Sequence, residues 1–101
     1  MELIISFTFR NSVYSCTVLI DNTQYPFFIF VILYDQELIK EFGDEVTIKT
    51  DFERQLPKYG EDRDLEEIKQ AIFDPVRNIP EFVWAKMSAT GYKKHEAALG
   101  L

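Results

Sequence analysis

Three groups of side chains in this chain have the types that do chemistry. The first is the only thiol, Cys16. A nucleophilic cysteine needs an adjacent base and a depressed pKa, and the only imidazole, His95, stands near the C-terminus. Cys16 falls on the apolar side of a strand pattern with Tyr14 and Val18, so it reads as a small buried hydrophobe. The second group is Asp62, Asp64, Glu66 and Glu67. Four carboxylates could gather a hard cation, but a calcium loop alternates its oxygen ligands around a mid-loop glycine and closes on a glutamate. That spacing is absent. Acids at a helix start complement the helix dipole and need no metal. The third group is Tyr14, Tyr25, Tyr34, Tyr59, Tyr92 and Trp84. Rings with an apolar body and a polar tip suit a ligand cavity or a protein interface. Tyr14 and Tyr34 follow the strand pattern and read as packing, whereas Tyr59 and Tyr92 lie in polar surroundings and read as exposed.

Other chemistries find less support. One cysteine and one histidine make a poor zinc site. The glycines at 43, 60, 91 and 100 are scattered, with no phosphate-cradling loop, and Ser12 and Ser15 lack a glycine elbow. No catalytic residue, cofactor or metal is expected.

Charge narrows the partners. Seventeen acidic against eleven basic side chains give a net charge of −6, which disfavours a sequence-independent grip on nucleic acid or an anionic membrane surface. The only compact basic cluster is Lys93-Lys94-His95. A single cysteine cannot staple the chain to itself and fits a reducing cytosol. The opening Met1-Glu2-Leu3-Ile4-Ile5 has an acid where an export signal wants a base, and its apolar run stops at Ser6. A span needs about 20 apolar residues, more than the opening run offers. We therefore expect a cytoplasmic protein without membrane contact. With 47% hydrophobic residues in 101, the chain suits one folded domain over 1–101, with 92–101 as a frayed tail.

The elements that would position any site follow from periodicity. Leu3, Ile5, Phe7 and Phe9 alternate with polar or outward positions, as do Tyr14, Cys16, Val18 and Ile20. This period of two predicts a β-hairpin. Folding about Asn11-Ser12 places Phe9 opposite Tyr14, Phe7 opposite Cys16, Ile5 opposite Val18 and Leu3 opposite Ile20. Residues 35–43 read as a short helix with Asp35 as its cap and Gly43 as its stop. Val46 and Ile48 alternate with Glu45, Thr47 and Lys49 as a fourth strand. Leu65, Ile68, Ala71 and Ile72 recur at helical spacing, with Asp74-Pro75 either ending that helix or restarting it. A last short segment begins at Pro80 and carries Phe82, Val83, Trp84 and Met87.

The stretch YPFFIFVIL, residues 25–33, stands apart because both of its faces are apolar. It predicts a third strand covered on both sides, with Pro26 at its first position. A one-residue slip exchanges apolar for apolar, so its register is open. We assign Phe27, Ile29, Val31 and Leu33, with Trp84, to a candidate interface. Two covers are available: the segment around Phe82, Trp84 and Met87 folding back, or a second copy in a two-fold dimer. The short chain favours the dimer.

The expected fold is α+β: an antiparallel meander of three to four strands, followed by C-terminal helices packed on one face. Two functions fit it. One is a small, self-associating protein-interaction module. The other is a small-molecule binder or minor enzyme with a pocket between sheet and helices. A flat apolar face favours the first, and a deep pocket with converging polar groups favours the second.

Overall fold

The computed structural model describes residues 2–23, 26–51 and 53–87. Tyr25, Tyr92, the Lys93-Lys94-His95 cluster and the 92–101 tail lie outside the described residues. The elements run β1 (Glu2–Phe9), β2 (Ser12–Asp21), β3 (Phe27–Leu33), α1 (Gln36–Phe42), β4 (Glu45–Thr50) and α2 (Arg63–Val76), then α3 over residues 80–87. The four strands form one antiparallel sheet in the order β1-β2-β3-β4. Helices pack on one face of it, an α+β fold.

The β1–β2 hairpin corrects the expected register. Its loop is Arg10-Asn11, both at positive φ (50° and 64°), so Phe9 pairs with Ser12, Phe7 with Tyr14, Ile5 with Cys16 and Leu3 with Val18. Two-residue hairpins favour this mirror-image turn because its twist matches that of the strands. The displacement from the expected pairing is two residues, which leaves every side chain on its own face. Hydrophobic alternation is blind to it, and the turn decides.

α1 ends as its sequence demands. Asp35 Oδ1 accepts from the backbone N–H groups of Glu37 and Leu38 at 3.0 and 3.2 Å. Gly43 closes the helix at φ 86° and ψ 170°, a backbone conformation open to glycine alone, while its N–H donates to Ile39 O. α2 is capped by Asp62, whose side chain accepts from Asp64 N at 2.7 Å. It runs through Pro75 to Val76. The proline sits in the last turn, where it removes only one terminal hydrogen bond, and Arg77 N still reaches Phe73 O at 3.0 Å. The Asp74-Pro75 pair therefore neither ends nor restarts the helix.

The core lies between the sheet and α2. Ile5, Phe7 and Phe9 of β1 and Cys16 and Val18 of β2 meet Ile68, Ile72, Phe73 and Val76 of α2, all buried. Phe82 of α3 enters the same core and meets the Phe73 ring edge-on at 5.8 Å between centroids. After β4 the chain turns back along the sheet edge: Leu56 N donates to Lys49 O at 2.7 Å and Thr50 bridges Gln55. No described helix is long and apolar enough to cross a membrane.

Candidate functional site

Cross-strand partners share a face, so the phase of β3 is set by its neighbours. In β4 the alternation is unambiguous, with Val46 and Ile48 buried and Glu45, Thr47 and Lys49 exposed. Val31 pairs with Val46 and Val18, and Ile29 pairs with Ile48 and Ile20. Phe27, Ile29, Val31 and Leu33 are therefore core residues, 0–8% exposed. This corrects their assignment to an interface. The opposite set, Phe28, Phe30 and Ile32, looks outward.

Trp84 stands apart from these four. It is 71% exposed, but it belongs to α3, which is rooted through Phe82 in the helical layer. It does not join the outward residues of β3, and Phe82 and Met87 do not fold back over them. Among the described residues, nothing covers that face.

The part of the open face that includes β3 is a grid of three rows fixed by strand register. One row runs Glu2–Leu19–Phe30–Thr47. On one side of it lies Ile4–Thr17–Ile32–Glu45, and on the other Asp21–Phe28–Lys49. Ile4 is 76% exposed and Phe30 41%, while Leu19, Phe28 and Ile32 are half-buried. The Phe28 and Phe30 rings stack with centroids 6.2 Å apart. A shallow depression of about 320 Å³ lies between Leu19, Phe30, Ile32 and the β4 residues Glu45 and Thr47. At one end Tyr34 hydrogen-bonds through its hydroxyl to that of Thr17, which explains how a threonine on an open face is buried. At the other end Asp21 accepts from the Thr23 hydroxyl at 2.6 Å and the Thr23 amide at 3.0 Å. These two bonds hold its carboxyl below the usual range.

The other candidates resolve into structure. Cys16 is fully buried and burial pushes its thiol up to about 12, so it is a packed thiol at neutral pH. The acidic run serves as the α2 cap, and no cluster of His, Cys, Asp or Glu among the described residues could hold a metal. Tyr59 is fully exposed. Three features had no signal in the sequence. Glu61, nearly buried, pairs with Lys69 of α2. Gln55 is buried with its Oε1 unpartnered. Arg10 leaves the hairpin turn to bind Glu41 with two hydrogen bonds, 2.8 and 3.0 Å, and lies over the Phe9 ring, joining the turn to α1. The two pairings join residues distant in sequence, and the burial of Gln55 follows from the chain turning back beside β4; periodicity reports neither.

Comparison of the chain with protein-family models, with curated proteins and with solved structures finds no match.

Proposed function

We propose that the protein is a small interaction module whose contact surface is the open face of the sheet. The observation that carries this is β3. An antiparallel sheet with one wet face normally reads apolar-in and polar-out. The outward side of β4 obeys, with Glu45, Thr47 and Lys49. β3 instead presents Phe28, Phe30 and Ile32, joined by Leu19 and Ile4, to water. Contiguous apolar patches of this kind mark contact surfaces. The reading places the protein in the cytosol on the strength of its single cysteine.

A small-molecule site is the second reading, supported by one observation. A hollow of about 710 Å³ beside α2 is lined by Arg63, Glu66, Glu67, Gln70 and the buried Gln55 with its unpartnered amide oxygen. Its lining is charged, whereas ligand sites are mostly apolar with few polar groups. The sheet face carries the better proposal.

A photo-crosslinking phenylalanine analogue at position 30, compared with one at the fully exposed position 59, tests it in the cells that make the protein. Adducts from position 30 and none from 59 are expected. Adducts from 59 alone would overturn the reading.

A further inference from the structure

We infer that the partner on the open face is a second copy of this chain, packed face to face about a two-fold axis that runs across the strands along the row Thr47–Phe30–Leu19, an inference that rests on reading the open face as the contact surface. The register makes the face self-complementary about that line. Glu45 and Lys49 flank Thr47 on β4, and both are exposed. A two-fold along the Thr47 row exchanges their levels, so Glu45 of each copy meets Lys49 of the other, twice per dimer. On β3 the same operation sets Ile32 against Phe28 of the other copy, and Phe30 against its own equivalent. On β2 it sets Leu19 against Leu19, and Asp21 against Thr17. Apolar residues meet apolar ones along the middle of the patch, and each charge on β4 meets its opposite. This is the isologous pattern of a closed dimer, with the strands of the two sheets near-aligned as in a β-sandwich.

The other two-fold that stacks this face, along β3 itself, fits less well. It would pair Lys49 with Asp21 and leave Glu45 opposite Thr17, where the preferred axis leaves Asp21, so charge does not separate the two axes. Coverage does: the axis along β3 would slide the whole of β1 off the partner, whereas the preferred axis keeps Glu2 over its equivalent. The one like-charge meeting about the preferred axis is Glu2 with its equivalent, at the sheet rim where solvent screens it.

The footprint sets the strength. Four strands about 4.8 Å apart, over about six residues of about 3.4 Å each, cover about 400 Å² per copy. Two such faces fall below the roughly 1,200–2,000 Å² of a standard stable interface, so the dimer is transient, with a dissociation constant in the micromolar range or weaker.

Sedimentation equilibrium from micromolar to millimolar protein tests this with three variants. Wild type should dimerise across the range. Glu45→Lys and Lys49→Glu should each weaken the homodimer by about tenfold or more, since two attractive pairs become two repulsive ones. An equimolar mixture of the two variants should restore dimers as heterodimers, because an all-lysine edge then meets an all-glutamate edge. Phe30→Lys should abolish dimers. A wild type that stays monomeric at millimolar concentration overturns the inference, and the crosslinking from position 30 then decides the contact surface independently. A dimer lost in Phe30→Lys but untouched by either charge reversal refutes the axis while keeping the open face. A dimer indifferent to Phe30→Lys refutes both.

Discussion

Stability should fall with alkaline pH through one residue, Cys16. Its thiol is fully buried between Ile5 and Leu33, its partners on the neighbouring strands, and burial raises its pKa from 9.0 to about 12. Below pH 9 the folded and unfolded chains both carry the proton, and the stabilisation is fully present. As pH rises from 9 towards 12 the unfolded chain deprotonates while the folded chain does not. The unfolded state then binds fewer protons, so the unfolding free energy decreases with pH. At about 1.4 kcal/mol per pH unit, the full window corresponds to about 4 kcal/mol, and the stretch from pH 9 to 11 to nearly 3 kcal/mol. Tyrosines and lysines titrate in the same range, so the quantity to measure is the difference between wild type and Cys16→Ala. Urea unfolding followed by circular dichroism at steps between pH 7 and 11 gives it. At pH 7 the variant should be less stable by about 1–2 kcal/mol. Near pH 10 the two curves should cross, after which the variant is the more stable. Parallel curves would mean that the folded chain ionises Cys16 as easily as the unfolded one, and its place on the buried face of β2 would be wrong.

Two further changes probe the elements that hold the face in place. Ile68→Ala, at a fully buried position on α2, should cost about 2–5 kcal/mol in urea unfolding, while the exposed Glu67→Ala should cost about 0.5 kcal/mol or less; equal effects would show that the helical phase is misassigned. Asn11 holds a left-handed backbone at φ 64°, so Asn11→Gly should leave thermal stability near wild type, whereas Asn11→Val should lower it by about 1–2 kcal/mol; a neutral valine would remove the two-residue turn.

Sequence patterning reached some of these features and not others for definite reasons. Local rules were legible: the Asp35 cap and Gly43 stop of α1 need only neighbours within one turn, and the alternation in β4 is polar against apolar. The hairpin faces were legible but their pairing was not, because a displacement of two residues preserves every face, and only the left-handed tolerance of the Arg10-Asn11 turn selects among registers. β3 was legible as a strand and opaque in phase. Both of its faces are apolar, so the choice between Val31 and Phe30 as the buried residue was made by pairing with Val46 and Val18, which is long-range information. The same holds for the open face itself. Its rows exist only once four strands are in register. The buried Glu61–Lys69 pair, eight residues apart, likewise depends on how the loop before α2 closes, not on any local spacing.

A contact surface on the outward side of β3 requires Phe30 to be dispensable for folding while Val31, the next residue, is not. The unfolding free energy of Phe30→Lys, measured at high dilution beside Val31→Lys, tests this most directly. Phe30 is 41% exposed and Val31 1%, so Phe30→Lys should fold with a loss of about 1 kcal/mol or less. Val31→Lys, which forces an unpaired ammonium into the core, should fail to fold. If Phe30→Lys collapses the fold as Val31→Lys does, the outward face of β3 is part of the core, and a contact surface there is contradicted.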